Sequence, residues 1–126
     1  MYLIDSDVII NFLKGEHQAV KTITKIQKQQ MYVSIITVGE IFEGLLETNK
    51  NKLTIFNEML KTLTIINIDR PIIEIFAKTR RFLRKTGLLI DNFDLLIAST
   101  ALAHDLTLIT NNFSHFKRIP KIKIYS

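Results

Sequence analysis

Four short apolar runs, each closing on a polar residue, constrain this chain most: YLID at residues 2–5, MYVS at 31–34, TIINI at 64–68 with Asp69 behind it, and TLIT at 107–110. Runs this short and this rich in Ile, Val and Tyr read as strands covered on both faces. The segments between them have helical period. One spans residues 8–14, capped by Ser6 or Asp7 and stopped by Gly15, and a second spans 17–29. A third opens at Thr37 and covers 38–48, with Val38, Ile41, Phe42, Leu45 and Leu46 as its apolar stripe, and a fourth covers 51–63. Asp69 caps a long helix with Pro71 in its first turn, which runs to Lys85 and stops at Gly87. Asp91 or Asn92 opens the last helix, over 93–105, and residues 122–125 form a short final strand. Strands alternating with helices predict an α/β layer fold with a mostly parallel sheet.

The 126 residues predict one domain over 1–126, and 47% hydrophobic with 23% charged residues excludes a disordered chain. The absence of cysteine excludes disulfides and thiolate metal sites and is compatible with a reducing cytosol. The start carries acids rather than a basic leader, and no run approaches the roughly 18 apolar residues of a membrane span, so a cytoplasmic protein without membrane contact is expected. The net charge of +5 favours polyanions, although simple solubility explains it equally well. Its placement says more: KTITKIQKQQ, RRFLRK and FKRIPKIK are basic, while the acids gather at strand ends. A basic surface around an acidic pocket suits a metal-dependent enzyme acting on a polyanion.

Parallel α/β sheets build their sites beyond the carboxyl ends of the strands. Asp5 and Asp7 follow the first strand, Asp69 the third, and Asn111 and Asn112 the fourth. Each has a plain structural reading: Asp5 and Asp7 as acids on the next helix's amides, and the asparagines as a turn. Glu40 closes a capping box with Thr37, and helical period groups it with Glu43 and Glu47. Asp94 is the sharpest residue, because its helix is apolar almost all round and Ala98 and Ala101 share its face. An unpaired carboxylate buried there costs several kcal/mol, roughly, unless a helix N-terminus or a cation offsets it. The alternative makes Asp91 the N-cap and Asp94 a residue of the first turn. His17, His104 and His115 lack metal-ligand spacing, and a histidine-based ribonuclease using His104 and His115 has no support in the sequence. What remains is Asp5, Glu40 and Asp94, with Asp7 or Asn112 beside them: hard oxygen ligands that suit Mg²⁺, or Mn²⁺ as a substitute, rather than zinc.

These stretches resemble a known family. YLIDSDVII resembles the opening of PIN-domain ribonucleases, SIITVGEIFEG their second block, and DNFDLLIASTALAHDLTLITNNFSHFKRI their third and fourth. Each motif is weak alone; four in order over nearly the whole chain are fairly specific. The length is most similar to that of VapC-type toxins of prokaryotic toxin–antitoxin pairs. The resemblance implies a three-layer α/β/α fold with a central parallel sheet, and Mg²⁺-dependent endoribonuclease activity on RNA. It implies an antitoxin partner and a homodimer. The family's acids fall on Asp5, Glu40 and Asp94, which favours function over capping at Glu40. Its fourth acidic position falls on Asn112, a departure that weakens a second metal position. Thr110 matches the family's Thr and Ser6 its small hydroxyl residue, whereas Asp7 falls where the family often has Asn. Arg81, Arg84, Lys85, Lys117 and Arg118 are expected to steer RNA or to contact the antitoxin. Two rivals stand beside this. Asp5-Ser6-Asp7-Val8 also fits the D-x-D-x-T/V pattern of haloacid-dehalogenase-like phosphatases, and Asp69 with Asp5 and Asp7 fits a phosphoacceptor receiver module.

Overall fold

The computed structural model describes residues 1–46 and 49–125. The four apolar runs form β1 (Tyr2–Ile4), β2 (Met31–Ser34), β3 (Thr64–Ile66) and β4 (Thr107–Ile109). They make one parallel sheet in the order β3-β2-β1-β4. The expected strand at 122–125 is reduced to a single bridge, Leu108 to Ile124, on the outer side of β4. Leu108 donates to the Lys123 carbonyl and accepts from Tyr125 N–H, each at 2.8 Å.

The helices are α1 (Ser6–Leu13), α2 (His17–Ile26), α3 (Ile35–Leu45), α4 (Lys50–Leu60), α5 (Arg70–Thr86), α6 (Asn92–Ala103) and α7 (Phe113–Phe116). α2 and α4 end three residues before the expected points, and α7 lies in a stretch too short for a periodic signal. Glu47 and Thr48, the expected end of α3, lie outside the described residues. At the end of α5, Gly87 takes a left-handed φ of 72°. That geometry lets Leu88 N–H reach back to the Leu83 carbonyl at 2.8 Å and closes the helix.

Successive strand side chains point to opposite faces. Ile4, Val33 and Ile109 therefore pack on one side, against Val8, Ile9, Ile23, Ile41 and Phe56 of α1 to α4. Leu3, Ile66 and Leu108 pack on the other, against Ile72 and Leu83 of α5, Leu95 and Ala98 of α6, and Phe116 of α7. The result is the three-layer α/β/α arrangement. α6 is buried from Leu95 through Ala101 save for partly covered Leu96, and its polar residues are satisfied internally: Ser99 and Thr100 hydroxyls donate to the carbonyls four residues back, at 2.7 and 2.8 Å. No helix among the described residues is long and apolar enough to cross a membrane.

The strand order locates the crevice. From β1 the chain steps to β2 and β3 on one side, then returns to place β4 on the other side of β1. Connections leave β1 and β4 on opposite faces, and in sheets of this kind the crevice lies beyond the carboxyl ends of such a strand pair.

Candidate active site

Asp5 stands at that crevice, directly after β1. Its N–H donates to the Ile109 carbonyl at 2.9 Å, which carries the β1–β4 pairing one residue further. It is 3% exposed, with both carboxylate oxygens engaged. Oδ1 accepts Ser6 N–H at 2.8 Å and Oδ2 accepts the Thr110 hydroxyl at 2.7 Å. Asp5 itself is thus the N-cap of α1, where the sequence pointed to Ser6 or Asp7. Asp7, in the first turn, accepts Asn111 N–H on Oδ2 at 3.1 Å, while its buried Oδ1 has no partner. Thr110 Oγ1 also accepts Asn112 N–H at 3.0 Å. Residues 110–112 are therefore pinned to both aspartates of β1's end.

The capping box at Thr37 does not form. The chain passes straight from β2 into α3, and Ser34 caps the helix by accepting Ile36 N–H on Oγ at 3.1 Å. Glu40 lies in the second turn, too far along to reach the free amides. Its side chain is half-buried, with Oε1 buried and unpartnered, and Thr37 Oγ1 is in the same condition. The opposite holds at α6. Asp91 is the N-cap, accepting Phe93 and Asp94 N–H on Oδ2 at 3.0 and 3.4 Å. Asp94 follows half-buried in the first turn.

Electrostatics show that these carboxylates share a space. Burial first, and the Asp7 charge second, push Asp5 up to about 6. Burial, then Asp5 and Asp91, push Asp94 up to about 6. Glu40 is raised by burial and then by Asp5, with Asp94 adding to it; the Ser6 hydroxyl opposes the shift. Asp7 is raised by burial, which outweighs the opposing hydrogen bond from Asn111 N–H. The fold thus brings Asp5, Asp7, Glu40 and Asp94 together. Among the described residues no Lys or Arg pairs with them: the ion pairs are Lys61–Glu58, Arg70–Glu74 and Lys123–Asp105, all on the surface. Like charges this close raise one another's pKa until a cation compensates.

The donor set fits a hard divalent cation. It is all oxygen, and Asp7 Oδ1 and Glu40 Oε1 are buried without a donor. Among the described residues no three acidic, His or Cys groups stand close enough to chelate one ion directly, so water would supply part of the shell. Mg²⁺ keeps several waters when it binds.

Among the described residues the basic side chains form no ion pair with these acids. Arg81, Arg84 and Lys85 line a cavity of about 520 Å³ on α5 with Phe76, Ala77 and Arg80. Arg80 Nε donates to Asn92 Oδ1 at 3.0 Å and joins this face to the start of α6. Lys117 Nζ lies 5.8 Å from the Phe113 ring centroid, and Arg118 donates to the Leu89 carbonyl at 3.3 Å. One further neighbour, named in the sequence only as a candidate partner of His104, stands here. His115, exposed on α7, has its Nδ1 2.7 Å from Asn112 Nδ2, and its imidazole lies near enough to favour ionised Asp94. The N-x-x-H spacing of 112–115 is the signal that marks it: three residues apart in a helical turn, two side chains meet.

A parallel sheet with acids gathered over its switch point defines a class, and sequence comparison agrees. The PIN domain family matches residues 2–122, and the chain belongs to the PIN-domain family. Its relatives there carry the name VapC. It is 36% identical over 126 residues to Ribonuclease VapC1 of Methanocaldococcus jannaschii, covering 98% of this chain and 85% of that one. It is 40% identical over 95 residues to Ribonuclease VapC2 of Rickettsia felis, covering 71% and 69%. The crystal structure of VapBC2 from Rickettsia felis bound to a promoter DNA fragment superposes with a TM-score of 0.89, at 28% identity and over 98% and 96% of the chains.

Proposed function

We propose that this chain is a metal-dependent endoribonuclease using Mg²⁺, and the toxin of a toxin–antitoxin pair that works as a homodimer. The observation that carries the reading is the gathering of four mutually repelling carboxylates at the switch-point crevice with, among the described residues, no Lys or Arg paired to them. The family and the VapC names of its relatives support the substrate class, and the toxin–antitoxin complexes among its structural neighbours support the partner.

Asp5 and Asp94 would hold the ion, directly or through water, with Glu40 completing the shell or orienting the attacking water. When bound, such a cation makes water a better nucleophile and offsets charge on a phosphodiester. The protein's part is preorganisation. Ser6 N–H and the Thr110 hydroxyl hold the Asp5 carboxylate in one orientation, and the Asn111 amide holds Asp7. Helix α6 sets Asp94 at a helix N-terminus, which favours the charged form. Asn112, neutral where the family has an acid, fits one well-held ion rather than two. Arg81, Arg84, Lys85, Lys117 and Arg118 would guide RNA or meet the antitoxin, with a salt dependence that follows the number of phosphates neutralised.

The rivals fare worse. A phosphatase nucleophile must reach its phosphorus, and Asp5 is 3% exposed with both oxygens bonded. Asp69 caps α5 by accepting Ile72 N–H at 3.2 Å on the edge strand's side of the sheet, as its cap reading expects. The deciding experiment is incubation of the pure protein with total RNA, with Mg²⁺ or EDTA. Cleavage with Mg²⁺ alone, lost in Asp94→Asn, is expected. Equal cleavage by Asp94→Asn, or release of phosphate from a simple monoester without RNA cleavage, would overturn the reading.

A further inference from the structure

An anionic phosphodiester cannot approach four carboxylates unaided, because even a bound divalent ion leaves the site short of positive charge. Some donor of the protein's own must meet the phosphate. Among the described residues no lysine or arginine forms an ion pair with the cluster's carboxylates, but a polar chain does lead out of it. Thr110 donates to Asp5 and accepts from Asn112 N–H; the Asn112 side chain then meets His115. His115 ends the chain, exposed and beside Asp94.

We infer that Asn112 and His115 form a substrate-anchoring pair, in which His115 Nε2–H donates to a phosphate oxygen of RNA lying over the acidic cluster. The inference rests on the ribonuclease reading above and gives Asn112 a task that an acid at this position would do differently. With Asn112 Nδ2 donating to Nδ1 across 2.7 Å, the neutral imidazole must carry its hydrogen on Nε2. The amide therefore keeps Nε2 the donor that faces outward. An aspartate at position 112 would instead accept from Nδ1–H, leave Nε2 an acceptor, and add another negative charge next to the phosphate.

The test joins binding to a metal-proximity readout. The probe is a short single-stranded oligoribonucleotide, 2′-O-methylated throughout so that binding is read by fluorescence anisotropy. His115→Phe, which keeps an aromatic ring without the donor, should weaken binding roughly tenfold or more, as expected for one hydrogen bond to a charged group. It should raise KM for cleavable RNA in step and leave kcat within about twofold. His115→Gln restores a donor near the Nε2 position and should recover most of the loss, whereas a merely structural role would not distinguish the two variants. Asn112→Ala frees the ring and should fall between. Separately, Mn²⁺ added to the wild-type protein should broaden the His115 ring protons in NMR spectra and spare His17 and His104. Wild-type RNA binding by His115→Phe, or equal defects in His115→Phe and His115→Gln, would overturn the anchoring pair alone. Failure of Mn²⁺ to broaden His115 or the amides around Asp94 would overturn the metal-site reading beneath it.

Discussion

Asp5 and Asp69 have the same local job and different fates. Each follows a strand and caps the next helix, Asp5 through Ser6 N–H and Asp69 through Ile72 N–H. Asp69 leaves edge strand β3, remains exposed, and spends its carboxylate on the cap. Asp5 leaves a central strand at the point where the strand order reverses. There Thr110 from β4's end takes its second oxygen, and Asp7, Glu40 and Asp94 crowd around it. A cap becomes a site when the sheet brings other acids to the same crevice; the residue and its own hydrogen bond do not decide it.

Activity should separate the two most widely. Asp5→Asn and Asp94→Asn are each expected to lower Mg²⁺-dependent RNA cleavage on the order of 10³-fold while circular dichroism stays unchanged, and Asp69→Asn should stay within about twofold of wild type. An equal loss in Asp69→Asn would break the contrast. Next in size is the ion's effect on stability. Mg²⁺ at about 100 times its Kd should stabilise the fold by roughly 2.7 kcal/mol in thermal melts, in wild type and Asp69→Asn but not in Asp5→Asn. Because protons compete for Asp5 and Asp94, both raised to about 6, this gain should shrink as pH falls from about 7 to 5.

Without metal the sign reverses. The folded state keeps protons on Asp5 and Asp94 that the unfolded chain, near 3.8, has already released. Their contribution to stability is therefore lost as pH rises from about 4 to about 6, and is flat above that. Asp94→Asn should then stabilise the metal-free protein at pH 7 by about 1 kcal/mol, after discounting for the solvent that reaches a half-buried group. Asp69→Ala should move the opposite way by about 1 kcal/mol, the usual loss of a cap. The smallest expected effect sharpens the same distinction at α3. Ser34→Ala should lose about 1 kcal/mol, whereas Thr37→Val, which removes an unpartnered buried hydroxyl, should be neutral or slightly stabilising. Urea unfolding of the four variants measures each effect.

Much of this was legible in the residues. Four apolar runs became four parallel strands, Pro71 and Gly87 bounded α5, and Asp91 capped α6. Two readings failed for an identifiable reason. Thr37 and Glu40 have capping-box spacing, but the helix starts three residues earlier, because Ser34 at the end of β2 offers its own oxygen to the free amide of Ile36. The last strand shrank to a bridge because residues 122–125 meet only the outer edge of β4. His115 was weighed only beside His104, because its neighbours Asn112 and Asp94 are joined to it by a short turn and by a neighbouring helix rather than by any repeat in the sequence.

The amino-acid sequence alone determined the alternation of strand and helix, the layers and the set of acids at segment ends, since these depend on local pattern and on which side chains avoid water. Only the tertiary structure decided which acids meet. The strand order β3-β2-β1-β4 puts β4 beside β1, and that adjacency draws Asp94, Thr110 and His115 to Asp5 across about a hundred residues of chain. Proximity of that kind comes from packing the sheet between two helical layers, and with it come the shared burial and mutual repulsion that set the site's charge.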